Sequence, residues 1–362
     1  MLSKKSQVHS QFNWMFVLMV GGFFLLLFFG LSTRQAESAQ QRISATALQG
    51  ISNIFESART GTSMSASVRI PYLTIEFSCE TGLFGDHIYS EYRVGGFSRR
   101  IDGLPTFVPG DLTGDNLVTW TQSWNIPFSV MNFLFIVNDQ TRFFFINNPS
   151  HSEIFNSIED SFSSNMKSEF LESINDPRFA DFNDDYSIIV IFSDNENHPV
   201  AVSERVNEIF SGSTRIVQIV PDDEIFGKVI YYDEDGFDGQ VQYAGRASLY
   251  GAIFSPSDDY YECSMRKALE RFSRVACIYH QKHIALQEHY SDDVQCRGVY
   301  NAVVNSFLEF FDDELCSSDG DIIKLDANQI SFEEKYNQLI LFYNTLVSTY
   351  NDARRYSCSR PY

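Results

Sequence analysis

The loop "SDNENHP" (residues 193–199) contains three side chains that could do chemistry. It follows "SIIVIF" (187–192), a β-branched run that predicts a strand buried on both faces. In open α/β sheets, ligands bind beyond the carboxyl ends of such strands. Asp194, Glu196 and His198 could therefore hold a divalent metal or transfer protons. An acidic loop that faces solvent explains the same residues and is favoured, because no nucleophile or phosphate-binding loop accompanies them.

A second group lies in "CIYHQKH", which places Cys277, His280 and His283 at intervals of three residues. Two histidines at this spacing on a helix can share a metal ion. A structural metal site needs a closed set of ligands, however, and no second cluster is visible in the sequence. An exposed helix face is therefore the favoured interpretation.

Two acidic segments resemble the start of a calcium loop. "DEDGFDG" (233–239) offers Asp233, Asp235 and Asp238, but Phe237 stands where a ligand is needed and Ala244 occupies the twelfth position. A tight acidic turn is favoured there and in "GDLTGD" (110–115). The sequence also has no nucleophile elbow and no P-loop. We therefore expect no catalytic residue, no metal and no cofactor.

The N-terminal segment indicates where the protein resides. Residues 14–31 are an uncharged apolar block about as long as a membrane span, preceded by Lys4 and Lys5 and followed by Arg34. This favours a retained anchor over a cleaved secretory signal or a buried core helix. The positive-inside bias predicts that the chain crosses the plasma membrane once, with its N-terminus in the cytoplasm and most of the chain outside.

Composition agrees with this location. The chain has 362 residues, a net charge of −20 and six cysteines, all after the apolar block. An even number of cysteines in an exported region indicates disulfide bonds. The acidic balance argues against binding to nucleic acid.

The elements predict an α+β protein of several domains. The helical pattern continues past the apolar block to about residue 57, "YLTIEFSC" alternates like a strand, and Asn138-Asp139-Gln140 is a predicted turn. Apolar residues every fourth position from Ile154 to Ile174 predict one amphipathic helix. Strands at 187–192, 215–220 and 228–232, the first two joined by a helix that starts at Pro199, predict a parallel crossover. The predicted segments are a processing segment (1–11), a transmembrane helix (12–33), a helical stalk (34–60), a β-rich region (65–147), an α/β layer (150–255) and a helical bundle (260–362).

The bundle is expected to contain three helices, at about 262–290, 296–315 and 331–356, arranged up, down, up. In that arrangement Cys263 and Cys316 share one end and Cys296 and Cys358 share the other, which predicts these two disulfide bonds. Cys79 and Cys277 are then either free thiols or a bond between the β-rich region and the bundle.

The N-terminus resembles a known class of signal. Lys4-Lys5-Ser6 followed by Gln7 is similar to the cleavage region of class III prepilin signals, used by archaellins and archaeal type IV pilins. The resemblance implies cleavage between Ser6 and Gln7, although Gln11 stands where the family usually has Glu. The whole chain also resembles uncharacterised single-pass surface proteins of DPANN archaea.

Two classes of function follow from these patterns. The favoured class is a structural or interaction protein: a minor pilin-like subunit, an adhesion component or an envelope-assembly component. It would contact the lipid bilayer through residues 14–31 and a protein partner in the envelope or in a surface filament. The alternative class is a membrane-tethered enzyme or ligand-binding protein that uses the loop after the 187–192 strand.

Overall fold

The computed structural model describes residues 4–81, 88–180, 186–196, 213–233, 236–311 and 332–359. In these residues the protein is a mixed α/β structure with two six-stranded sheets. The α-helices are α1 (Lys4–Thr60), α2 (Ser152–Ser161), α3 (Arg246–Phe254), α4 (Asp258–His289), α5 (Val294–Phe310) and α6 (Phe332–Arg355). The strands are β1 (Ser65–Thr81), β2 (Ile88–Val94), β3 (Phe97–Ile101), β4 (Thr106–Phe107), β5 (Leu112–Asn125), β6 (Ser129–Asn138), β7 (Thr141–Ile146), β8 (Lys167–Leu171), β9 (Tyr186–Phe192), β10 (Ser213–Pro221), β11 (Phe226–Asp233) and β12 (Gly236–Ala244).

Helix α1 is one continuous helix of 57 residues, as the sequence predicts for its central part. The segment contains no proline to interrupt the backbone hydrogen bonds, so the helix extends for about 86 Å at 1.5 Å per residue. It ends at Thr60, and the amide of the following Gly61 donates to the carbonyl of Ser57. The side-chain amide of Asn132, on β6, donates to the Gly61 carbonyl at 3.0 Å. It thus supplies a hydrogen-bond partner for a carbonyl directly after the helix, where no further helical turn provides one.

The first sheet, sheet A, has the strand order β3-β2-β1-β5-β6-β4. It is antiparallel apart from the short pairing of β4 with β6. The predicted alternation of β1 is confirmed, because Ile75 is buried beneath α1 and its neighbours Leu73 and Phe77 pack against the same core. The opposite face of the sheet is apolar too, so central strands such as β6 are buried on both sides.

The second sheet, sheet B, has the order β12-β11-β10-β9-β7-β8. The predicted parallel pairing of the 187–192 and 215–220 strands is confirmed in β9 and β10, while β11 and β12 are antiparallel additions. Strand β7 pairs with β8 and β9, so the turn after Asn138 separates the two sheets. The strand assigned to the end of the β-rich region (65–147) therefore belongs to the sheet of the α/β layer.

The predicted single helix from Ile154 to Ile174 is wrong. Helix α2 ends at Ser161, Phe162 has an extended backbone, and 167–171 forms strand β8. The segment "SFSSN" (161–165) contains serine and asparagine, which compete for backbone hydrogen bonds and are poor in helix interiors. Phe162, Met166 and Phe170 still pack on the core, although they no longer lie on one helix.

One apolar core joins both sheets to the C-terminal helices. Helix α3 lies at its centre, with every residue from Ala247 to Phe254 buried. The Tyr250 ring lies 4.7 Å from Trp120 of sheet A, and the Phe254 ring lies 4.7 Å from Phe143 of sheet B. The sequence analysis did not identify α3, because a helix that is apolar on all sides has no amphipathic period.

The three predicted C-terminal helices are present as α4, α5 and α6. The predicted bond between Cys296 and Cys358 is confirmed, with Cα atoms 5.7 Å apart. The predicted bond of Cys263 to Cys316 is wrong, because Cys263 is bonded to Cys79 of sheet A at a Cα separation of 5.9 Å. The alternative of free thiols at Cys79 and Cys277 is also wrong, since both are disulfide-bonded. The other alternative, a bond between these two cysteines, is wrong as well, although Cys79 does tie the β-rich region to the bundle through Cys263. Cys316 lies outside the described residues.

Candidate functional site

The N-terminal part of α1 has the properties of a membrane span. Residues Trp14–Thr33 have a mean hydropathy of 2.4, and the rest of the protein buries none of this stretch. Twenty helical residues cover about 30 Å, the thickness of the hydrocarbon core of a bilayer. A membrane anchor and a signal sequence share these features, and the disulfide bonds fit an oxidising, extracellular environment.

The second half of α1 is part of the folded protein. One face of the helix is buried against sheet A, through Ala47, Leu48, Ile51, Phe55 and Ala58. The buried Tyr92 hydroxyl of β2 donates to the Leu48 carbonyl at 3.2 Å. At the end of the helix the Arg59 guanidinium donates to the Asp102 carbonyl at 2.7 Å. The apolar segment is therefore continuous with a helix that is fixed to the sheet.

The loop at 193–196 lies at the edge of sheet B where the parallel strands end. Strand β7 pairs with β8 on one side and with β9 on the other. The strand order therefore changes direction at β7, which makes this position a topological switch point. Crevices at such switch points are the usual ligand positions in α/β sheets. Asp194 follows β9 there, and His151 follows β7.

His151 and Asp194 meet at this edge. The imidazole Nε2 lies 2.9 Å from Asp194 Oδ1, with the His151 side chain 16% exposed and that of Asp194 59% exposed. Asn148 lies close by and donates from its side-chain amide to the Phe192 carbonyl. His151 was not identified from the sequence, because its position beside Asp194 follows from the parallel pairing of β7 with β9.

The rest of the loop is held by side chains of β10 and β11. Glu196 forms an ion pair with Lys228, and the carbonyl of Asn195 accepts a hydrogen bond of 2.7 Å from Gln218. The hydroxyl of Tyr232 in turn donates to the Gln218 side chain at 2.8 Å. Burial, followed by the charge of Glu196, raises the pKa of Tyr232. These contacts fix the backbone of the loop and neutralise one of its two described carboxylates.

Two of the three predicted candidates in this loop are thus described, and they do not converge. The carboxylate of Asp194 lies beside His151, whereas that of Glu196 is paired with Lys228. His198 lies outside the described residues. Within the described ranges, no group of three histidine, cysteine, aspartate or glutamate residues is arranged to hold a metal ion.

The histidines of "CIYHQKH" are buried, so the predicted exposed helix face is wrong for them. His280 is 8% exposed and His283 is fully buried, and both rings lie within 6 Å of Phe307 on α5. His283 Nδ1 bonds to the Tyr279 carbonyl. Burial lowers the pKa of His283 to about 4 and also lowers that of His280. Cys277 is disulfide-bonded and supplies no thiolate ligand.

In the acidic segment 233–239, Asp233 ends β11, Phe237 and Asp238 belong to β12, and Asp233 pairs with Gly236. Its Asp238 has a pKa raised first by burial and then by the charges of Asp233 and Asp258. Asp235 lies outside the described residues. The tight turn predicted for the segment 110–115 is wrong, because residues 112–115 belong to strand β5. Burial, followed by the charge of Glu76, raises the pKa of Asp111 in this segment.

A buried lysine between α4 and sheet A is a further feature that sequence reasoning missed. Lys267 is 6% exposed, and its Nζ donates to the Ser90 hydroxyl of β2 at 2.6 Å. Burial lowers the pKa of Lys267 to about 8. A signal was present, because Lys267 follows the buried Tyr260 and Ser264 at helical spacing, on the inward face of α4.

Comparison with known proteins gives no relative. No family model, no curated protein and no solved structure matches the chain.

Proposed function

We propose that this protein is a pilin-like structural or interaction subunit, anchored by α1 and exposing its folded part outside the cell. The observation that carries the proposal is the continuity of α1. One unbroken helix presents an apolar segment, Trp14–Thr33, and then becomes part of the core of sheet A. A helix whose first half inserts into lipid and whose second half packs on an antiparallel sheet is the architecture of a pilin-like subunit. A simple membrane tether needs no such packing.

The distribution of charge supports a contact surface near the membrane. Residues 34–103, which form the stalk and β1–β3, contain seven basic and seven acidic residues. Residues 104–362 contain 18 basic and 40 acidic residues, a net charge of −22. Copies of a strongly acidic chain repel one another, so close packing with a partner is most favourable where the local charge is balanced.

The proposed orientation places Lys4 and Lys5 in the cytoplasm and the two sheets outside, in a single-pass arrangement. The partner is a protein of the envelope or of a surface filament, in the role of a minor pilin, an adhesion component or an assembly component. Nucleic acid is not among the proposed partners. A protease added to intact cells should digest the folded part, and protection of that part would show the orientation to be reversed.

Processing between Ser6 and Gln7 is the specific test of the pilin-like assignment. The full chain is expressed in a host that contains a prepilin peptidase, and the mature N-terminus is measured by mass spectrometry. We expect most copies to begin at Gln7, and Ser6→Ile to block cleavage because the position needs a small residue. Ser10→Ile, the same change after the cleavage position, is the matched control and should still be cleaved. Intact Met1 or Leu2 on most wild-type copies would leave a plain anchor and remove the pilin-like assignment.

A second candidate function rests on the His151–Asp194 pair at the switch point of sheet B. The His151 Nε2 atom lies 2.9 Å from Asp194 Oδ1 but has no hydrogen-bond partner of acceptable geometry among the described residues. If a small rotation forms that hydrogen bond, the carboxylate would orient the histidine as a general base, and this edge would serve a tethered enzyme or a ligand-binding protein. Chromogenic acetate and phosphate esters are suitable probes. Hydrolysis by the wild type that disappears in His151→Ala and persists in His289→Ala, a change at an exposed histidine, would favour this candidate. No hydrolysis by the wild type would count against it.

A further inference from the structure

Four side chains form a closed arrangement where α4 meets sheet A. Cys79 on β1 lies directly opposite Ser90 on β2, so the two side chains project from the same face of the sheet. Cys263 and Lys267 are four residues apart on α4 and therefore share one face of that helix. Cys79 is bonded to Cys263, and Lys267 Nζ donates to Ser90 Oγ at 2.6 Å. The disulfide bond and the lysine thus lie side by side in one interface.

The two disulfide bonds of known pairing differ in their access to solvent. Cys296 and Cys358 are buried, at 2% and 8% exposure. Cys79 and Cys263 are both only partly buried. A thiol reagent must reach a sulfur atom to attack it, so the Cys79–Cys263 bond is the more open of the two.

The lysine changes the chemistry of the bond beside it. A nearby ammonium stabilises a thiolate, and a stabilised thiolate leaves a disulfide bond faster. Lys267 carries a charge at neutral pH, and burial lowers its pKa to about 8. Asp102, after β3, and Glu270, on α4 itself, are the other charged groups that act on it, and both favour its protonated form. The Cys296–Cys358 bond has as its described neighbours the apolar and aromatic side chains of its core, such as Val299 and Tyr300.

We propose that Cys79–Cys263 is a thiol–disulfide exchange site for an external dithiol, assisted by Lys267, whereas Cys296–Cys358 is a permanent structural bond. The substrate class is a dithiol reductant, either a small molecule or a redox-active protein with two cysteines. Exchange would remove the covalent link between β1 and α4, while the buried contacts of the shared core keep sheet A packed on the C-terminal helices.

The exchange is balanced in two steps. A thiolate of the reductant attacks the sulfur of Cys79, forming a mixed disulfide, and the electron pair of the broken bond leaves on the sulfur of Cys263 beside Lys267. The second thiolate of the reductant then attacks the reductant sulfur that is bonded to Cys79. This step closes the disulfide of the reductant and releases Cys79 as a thiolate. The reductant ends as its disulfide, two electrons pass to the protein, and each cysteine thiolate takes a proton from solvent.

The test uses the full chain in detergent micelles and dithiothreitol as the dithiol. Free thiols are trapped by alkylation at successive times, and peptide mass spectrometry measures the reduction of each bond in the same molecules. We expect Cys79–Cys263 to be reduced at least tenfold faster than Cys296–Cys358. Taking the ratio of the two rates cancels the reagent's own dependence on pH. Equal rates, or faster loss of Cys296–Cys358, would overturn the proposal.

Variants of the lysine test its role separately from access. Lys267→Met should lower the ratio about three- to tenfold, and Lys267→Arg, which keeps the charge, should restore most of it. Lys282→Met, at an exposed position of α4, should leave the ratio unchanged. In the wild type the ratio should fall between pH 7 and pH 9 as Lys267 loses its proton, and in Lys267→Met it should stay flat. If the ratio of the two reduction rates changes neither with pH nor in Lys267→Met, the lysine does not assist the exchange.

Discussion

The two sheets are built on different principles, and each has a second apolar core besides the one that they share. Sheet A is almost wholly antiparallel, and one face is covered by a helix that is continuous with the apolar segment Trp14–Thr33. Sheet B is parallel at its centre, and its outer core is built from Leu171, Phe179 and neighbouring strand residues. Both sheets share the central core on their inner faces. The difference shows that the outer face of sheet A is covered by α1, so the helix that carries the apolar segment is also part of the core of this sheet.

Removal of α1 should therefore have the largest effect of any change considered. A chain that starts at residue 34 keeps the buried half of the helix and should fold. A chain that starts at residue 61 exposes Ile75, Tyr92 and Val94, which are at most 1% exposed in the intact protein, and should aggregate or lose the structure of sheet A. Size-exclusion chromatography and circular dichroism of the two chains, expressed under oxidising conditions, decide the matter. A soluble, cooperatively folded chain from residue 61 would separate the helix from the fold.

Single substitutions in the two outer cores should sharpen the comparison. Ile51 of α1 and Ile189 of β9 are both fully buried. Ile51→Ala and Ile189→Ala should each lower the free energy of unfolding by about 2–5 kcal/mol, through lost burial and the cavity left behind. Ile43→Ala, at a half-exposed position of the same helix, should change it by less than about 0.5 kcal/mol. Urea unfolding with the disulfides intact measures all three. A negligible effect of Ile51→Ala would show that the packing of α1 on sheet A contributes little to the free energy of unfolding.

The attachment of α4 to sheet A should depend on pH, because it uses the buried Lys267. The folded protein releases this proton near pH 8, whereas an unfolded lysine keeps it to about pH 10.5. The unfolded state therefore binds more protons at Lys267 between these values, and the contribution of Lys267 to stability should rise with pH across this window by on the order of 3 kcal/mol. Buried tyrosines with raised pKa values oppose this rise near pH 10, and they do so equally in the wild type and in both lysine variants. Lys267→Met should lose that rise, and Lys282→Met should keep it. Chemical unfolding at pH 7.5 and pH 10 compares the variants. A slope that is the same in all three proteins would contradict the role of this lysine.

The smallest effects are expected at the edge of sheet B. Asp194 and Glu196 have side chains that are 59% and 51% exposed, so their ion pairs are screened by solvent. Asp194→Asn and Glu196→Gln should each change stability by no more than about 0.5 kcal/mol. Thermal unfolding measures this, with Ile189→Ala as the sensitive reference in the same sheet. A loss of stability above about 1 kcal/mol, or the loss of a bound ligand, would favour the second candidate function, which uses the His151–Asp194 pair.

Local patterns predicted much of the architecture. The long helix, the alternation of β1, the parallel pair β9 and β10 and three C-terminal helices all follow from periodicity, because each pattern reports which side of one element is buried. The helix predicted beyond Ser161 failed, since apolar residues at every fourth position also occur where a helix stops and a strand begins. Part of the candidate site was equally accessible: Asp194 was identified from the strand before it, but its partner His151 required knowing that β7 lies beside β9.

By itself the sequence determined an apolar segment of membrane length, six cysteines that all follow it, and several main elements, among them the long N-terminal helix and the parallel pair β9 and β10. Only the tertiary structure decided that Cys263 is bonded to Cys79, 184 residues earlier, and that His283 and Lys267 are buried. The physical reason is the range of the interactions. Hydropathy and helical period act within a few residues, whereas the partner of a cysteine and the burial of a charge are set by elements that meet through the shared core.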